Sequence, residues 1–160
     1  MSYSWTLPGS RRFVPYEAPQ GRRVNVMAAL VADGPEPGLV WTSATRSLKA
    51  EDLLVFVEHA VPAGPGLRVV VLDNAGIHRS RVVQQARSAL RQKGIVLHYL
   101  PPYSPELNDI EAWLGGIKQH EMPRRSYPQA QELVQAIDDA FTNARQRLLS
   151  RCEHKLRLAA

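Results

Sequence analysis

Apolar positions along the chain switch between a period of two and a period near 3.6, and the switches predict the elements. Residues 1–21 are turn-rich, punctuated by Pro8-Gly9, Pro15, Pro19 and Gly21. The mostly apolar, β-branched run RRVNVMAALVA (22–32) predicts a strand, DGPEPG (33–38) a turn, and LVWTSA (39–44) a second strand, which together make a hairpin. In SLKAEDLLVFVEHAV, Ser47 is the expected N-cap of a helix whose Leu53, Leu54, Val57 and Ala60 fall at helical spacing, and PAGPG (62–66) ends it.

LRVVVL (67–72) predicts a strand of the fully buried kind, with Asp73 at its C-terminal end. The following helical stretch (79–94) carries Val82, Ala86, Ala89 and Leu90 on one face and closes on Gly94 as its C′ residue. IVLHYL (95–100) is another strand, and the rigid PPYSP turn leads into a helix from about Asn108. A last helix starts near Pro128, with Leu133, Ile137, Phe141, Ala144 and Leu148 in phase. The order strand, strand, helix, strand, helix, strand, helix, helix predicts an α/β fold, a mixed sheet with helices on its faces. In such sheets ligands gather at the carboxyl ends of the parallel strands, where Asp73 stands.

Composition narrows the class. The 160 residues are 44% hydrophobic and 22% charged, ordinary for a globular chain, and simplest as one domain. No apolar run approaches the roughly 18 residues of a membrane span, and the N-terminus lacks a signal pattern. The single cysteine, Cys152, allows no intrachain disulfide, which fits a cytoplasmic protein. A net charge of +5 and a pI near 9.7 are compatible with a polyanionic partner, or with a merely solvated basic face. Basic residues gather late, at Arg124, Arg125, Arg145, Arg147, Arg151, Lys155 and Arg157.

Two acids stand out. A carboxylate at the mouth of a buried strand needs compensation. Asp73 finds it either in an Asx-type turn within DNAG or in a divalent cation. Glu111 lies in the first turn of its helix, where the dipole favours an acid, yet it sits between Ile110 and Trp113 near the edge of the apolar stripe, whereas Asp109 is free to face water. The 37 intervening residues hold a helix, a strand and a Pro-braced turn, enough to return the chain to the same end of the sheet. Hard oxygen ligands suit Mg2+ or Mn2+, and two such ions clamp the attacking and leaving oxygens in phosphodiester chemistry. There is no zinc pattern, GxGxxG, P-loop or GxSxG, and a triad built on Asp73 and His78 has no marked nucleophile.

LDNAGIH followed by LPPYSPELNDIEAWLGGIK resembles the catalytic domain of DDE transposases, in the mariner-like superfamily and its bacterial insertion-sequence branch. The opening YSWTLPGSRRFVPYEAPQGRRVNV extends the likeness over residues 3 to about 125, with the C-terminal helix at about 128–158 completing one partial catalytic domain, 1–160. The resemblance implies a ribonuclease H-like mixed sheet with flanking helices, and three acids holding two Mg2+ (or Mn2+) ions for DNA cleavage and strand transfer. Asp73 matches the second acid and Glu111 the third, as catalytic and metal-binding residues. His78 and Asn108 share their motifs and take supporting roles, although His78 is equally a helix-start residue bonding its own loop. Lys118 and Arg79 are the DNA-contact candidates, with solvated surface as the plainer alternative for the lysine. Tyr103, between prolines, is either a base-stacking platform or, more plainly, a packing residue of the turn.

The sequence departs from the family where Asp109 replaces a usual proline, and where Gly115-Gly116 interrupts the helix at a cost of roughly 1 kcal/mol per glycine. The first acid precedes the YSW segment in the family. Of the acids before Asp73, Glu17 and Glu36 lie among prolines, Asp33 in a turn, and Glu51, Asp52 and Glu58 on a helix. None ends a buried strand, so the expected fold lacks its first, central strand, between the hairpin and the Asp73 strand, and the family's helix-turn-helix segment as well. Expected partners are DNA (transposon ends and target) and a second copy or full-length transposase, with no membrane. The expected location is the bacterial cytoplasm, at the nucleoid when DNA is bound. The expectation is a truncated, inactive catalytic domain, against a non-catalytic DNA-binding or regulatory remnant or a stand-alone Mg-dependent nuclease.

Overall fold

The computed structural model describes residues 23–32, 38–60, 66–122 and 127–158. The turn-rich opening, the hairpin turn and most of PAGPG lie outside the described residues, as do Glu17, Asp33, Glu36, Arg124, Arg125 and the side chains of Arg151, Cys152, Lys155 and Arg157.

The predicted hairpin forms. Strand β1 (Asn25–Val31) pairs antiparallel with β2 (Gly38–Ala44), from Asn25↔Ala44 to Val31↔Gly38. Successive side chains of a strand point to opposite faces, and the two faces of β1 serve two cores. Val26 and Ala28, beside Leu39 and Trp41 of β2, join a cluster with Ile137, Ala140, Phe141 and Ala144 of the long C-terminal helix, here α4 (Ala130–Leu158). Trp41 fixes that contact: its ring lies 5.2 Å from Phe141 and its indole N–H donates to Asp138 at 2.8 Å. Met27, on the other face, packs in the second core.

That second core lies between helices and a parallel pair. Strand β3 (Arg68–Leu72) pairs in parallel with β4 (Ile95–Tyr99), and α1 (Ala50–Val55) and α2 (Arg81–Gln92) supply Leu53, Val83 and Leu90. Gly94, at φ +76°, ends α2 as predicted. The buried face of α2 is Val83, Ala86 and Leu90; Val82 and Ala89, expected on it, are exposed. Neighbouring valines leave the helical phase ambiguous by one residue, and packing selects Val83.

Two expectations are corrected, and the sheet is found divided. Strand β3 is not fully buried: Val69 and Val71 are 58% and 52% exposed, because α1 and α2 cover one face of the pair only. Among the described residues the strands form two two-stranded sheets, and the break falls between the hairpin and β3, where the expected fold lacks its central strand. Ser47 does not cap α1. The cap position is Lys49, whose N–H donates to Asp52 at 2.7 Å, and Arg46 donates to both oxygens of the same carboxylate at 2.5 and 2.6 Å. A charge-assisted acceptor outcompetes a neutral hydroxyl. Beyond Val55, α1 widens into a π-helical turn, Phe56–Ala60, tied to the end of α2 by Lys93 and Glu58 at 2.7 Å.

Hydrogen bonds from Arg46, and secondarily from the Lys49 amide, hold the Asp52 carboxyl well below the usual carboxylate range. A depressed folded-state pKa contributes stability in full above the unfolded value and loses it as pH falls toward the folded one. Melting curves of wild type and Asp52→Asn are therefore expected to converge as pH drops below about 4; a constant difference would show that the clasp titrates elsewhere.

Candidate acid site

Asp73 emerges where the parallel ladder ends. The last pair is Leu72↔Tyr99, and the Leu100 amide donates to the Leu72 carbonyl at 2.9 Å. Beyond it Asn74 donates its side-chain amide to the Leu100 carbonyl at 2.7 Å, tying the two strand exits together. The Asx turn foreseen for DNAG is present: Asp73 Oδ1 accepts the Ala75 amide at 2.9 Å. The same oxygen lies 2.7 Å from His78 Nδ1. A ring nitrogen facing a carboxylate at that distance carries the proton, so Nδ1 donates and Nε2 faces away from the pair. His78 is held in turn by its own amide, which donates to Ala75 at 2.9 Å, and by Tyr99, whose hydroxyl donates to the His78 carbonyl at 2.8 Å.

Glu111 arrives from the other strand exit. Ser104 Oγ donates to the Pro102 carbonyl at 3.4 Å and the Leu107 amide to Ser104 at 3.2 Å, closing a 3-10 turn at Pro105–Leu107 before α3 (Asp109–Gly116). Asn108 occupies the N-cap position, but its side chain makes no capping bond. Its amide instead donates to Glu111 Oε1 at 3.1 Å, so it positions the acid rather than the helix end. Ile110, Leu114 and Ile117 anchor this segment on the hairpin core. Glu111 is exposed, as is Asp109.

Asp73 and Glu111 line one cavity of about 200 Å3, with Asn74, Leu100, Pro101, Tyr103 and Ser104. Among the described residues each acid has one oxygen engaged by a neighbour, Oδ1 of Asp73 and Oε1 of Glu111, and one without a hydrogen bond. The geometry therefore unites Asp73 with His78 and Glu111 with Asn108 on a common opening. Arg79 and Lys118 are exposed and do not line it.

Compared with descriptions of known families, residues 1–134 match "DDE superfamily endonuclease". The chain belongs to that family. A search of curated protein sequences gave no match. Domains of the DDE endonuclease family typically use divalent metals. Its chemistry fits the donors here in part: two hard carboxylates, each with an open oxygen, can serve a cation that completes its shell with water or substrate oxygens. Among the described residues no group of three or more His, Cys, Asp or Glu forms a fuller cage. No helix among them is long and apolar enough to cross a membrane.

Sequence reasoning passed over two contributors to this endonuclease domain. Asn74 was legible only as a turn residue, yet it joins the strand exits. Tyr99 read as a strand residue, yet its hydroxyl supports the loop carrying His78 and accepts from Gln84 of α2 at 3.3 Å, while Arg87 lies 5.8 Å over its ring. The alternating tyrosine beside a histidine loop was the available signal.

The Gly115-Gly116 pair sits where α3 gives way to a π-helical turn, Ile117–Glu121. Gly116 has ordinary helical angles, φ −61° and ψ −44°, and an added Cβ meets nothing within 4 Å. Gly116→Ala is expected to stabilise the protein by about 0.5–1 kcal/mol through the unfolded chain's entropy. Chemical denaturation measures this; a loss of stability would show that the helix-to-π junction needs glycine.

Proposed function

We propose that this DDE endonuclease domain belongs to a mariner-like transposase of the bacterial insertion-sequence branch, and that Asp73 and Glu111 are its second and third metal-binding acids. The shared cavity supports this most directly: two carboxylates from separate strand exits line the same space, each with one oxygen that makes no hydrogen bond among the described residues. In this reading the substrate is DNA, at transposon ends and target, and the ions are Mg2+ or Mn2+. When bound, the metal ions supply the charge that stabilises the attacking and leaving oxygens of a phosphodiester. Asp73 presents Oδ2 while His78 and the Ala75 amide fix its rotamer through Oδ1. Glu111 presents its second oxygen while Asn108 holds the first. Arg79 and Lys118, exposed beside the loop and on the turn after α3, contact flanking phosphates.

The same proposal takes the fold as ribonuclease H-like over one catalytic domain, 1–160. The hairpin and the β3–β4 pair are then two parts of one sheet, with the family's first acid on a strand between them. A second copy or a full-length transposase is the expected assembly partner, in the cytoplasm and at the nucleoid.

A non-catalytic, DNA-binding reading has one observation of its own: among the described residues no third ligand joins the two acids. Nicking of supercoiled DNA with Mg2+ or Mn2+ separates the two. Catalysis predicts metal-dependent nicking that falls by more than about 100-fold in Asp73→Asn or Glu111→Gln, and undiminished nicking in either variant removes the acid-site assignment. DNA binding that ignores both EDTA and Asp73→Ala, with no nicking, establishes the non-catalytic reading.

A further inference from the structure

Tyr103 stands at the rim of the acid cavity in a state that its own chain does not reward. It is fully exposed, at 101% of its reference surface, so the plainer expectation that it packs the turn fails. Its φ of +56° is the only positive value at a non-glycine among the described residues, in a region where a bulky side chain is an outlier. Among the described residues its hydroxyl makes no hydrogen bond, and no other aromatic ring stacks on it. Yet the backbone that presents it is braced, with prolines at 101, 102 and 105 and the Ser104 bonds to Pro102 and Leu107. Strain held by a rigid frame and unrelieved by packing points to a ligand contact.

We infer that Tyr103 is a stacking platform for an unpaired nucleobase next to the phosphodiester at Asp73 and Glu111. This rests on the DNA reading of the acid site and adds the part of the substrate that the carboxylates do not touch. The ring supplies a flat π-face with no polar partner to choose one base over another, so it accepts any base. A base within a duplex already has both faces covered by its neighbours. The residue therefore selects DNA that is single-stranded or locally unstacked at the cleavage point. An acidic protein segment fits poorly, because two carboxylates share the cavity with the ring; an aromatic-binding protein partner is the alternative outcome.

The test is fluorescence anisotropy of a labelled single-stranded oligonucleotide and of its duplex, in EDTA, with the full chain and Tyr103→Ala, Tyr103→Phe and Tyr103→Gly. Tyr103→Ala and Tyr103→Gly are expected to bind the single strand about tenfold more weakly, Tyr103→Phe within about twofold of wild type, and duplex affinity to stay level in all of them. Tyr103→Gly is also expected to melt about 2–4 °C higher, since glycine adopts the left-handed backbone without strain. Single-strand affinity unchanged in Tyr103→Ala overturns the stacking role and leaves the acid site standing. A Tyr103→Gly variant that melts below wild type shows that the ring supports the turn, and overturns it too. A wild-type chain that binds neither form of DNA removes the stacking role together with the DNA reading beneath it.

Discussion

The acid site depends on the parallel pairing of β3 with β4. Parallel neighbours exit on the same edge, and the ladder from Arg68↔Ile95 to Leu72↔Tyr99 delivers Asp73 and the proline turn side by side. The Asn74–Leu100 bond continues that ladder with a side chain after the backbone has stopped pairing. Without the pairing, Glu111, reached through a turn and a helix start, has no fixed relation to Asp73. The packing beneath is local: Val83, Leu90, Ile95 and Leu97 are buried where α2 lies back on the pair, which fixes the crossover and hence the direction of both strands.

The division of labour within each carboxylate follows from this frame. One oxygen is spent on protein contacts that set the rotamer; among the described residues the other makes no hydrogen bond. Such an arrangement is ordinary turn chemistry and, in the proposed reading, also ligand preorganisation, so the Asx turn at Asp73 is compatible with a binding role. The basic character of the chain points the same way at long range, since the polar face of α2 carries Arg81, Arg87 and Arg91 with no acid among its twelve residues. In the proposed reading an anionic substrate approaching two carboxylates needs compensating charge nearby, which exposed arginines at the protein surface would supply as a steering field.

Much of this was legible in the sequence, and the misses have particular causes. The hairpin, the position of Asp73 at a strand end, Gly94 as the end of α2 and the apolar stripe of α4 follow from periodicity and backbone preference, which act over a few residues. The exposed face of β3 was not legible, because VVVL reports hydrophobic character without saying whether a second layer covers it. The phase of α2 was off because Val82 and Val83 are equally apolar. Asp52 displaced Ser47 through Arg46, a pairing whose geometry only the fold decides. The contacts that complete the site and the core are non-local: Asn74 to Leu100 spans 26 residues and Trp41 to Asp138 spans 97. Asn108 holds the cap position without a side-chain capping bond, and its side-chain amide donates to Glu111, a contact that residue type and spacing alone did not distinguish from a cap.

The central claim is that Asp73 and Glu111 act on one divalent cation, and calorimetric titration of Mn2+ into the full chain tests it most directly. The account predicts binding by wild type, at least about tenfold weaker in Asp73→Asn and in Glu111→Gln, with the double variant little worse than either, because residues that share one partner are non-additive. Wild-type affinity retained in either single variant, or losses that simply add in the double variant, would contradict a shared site.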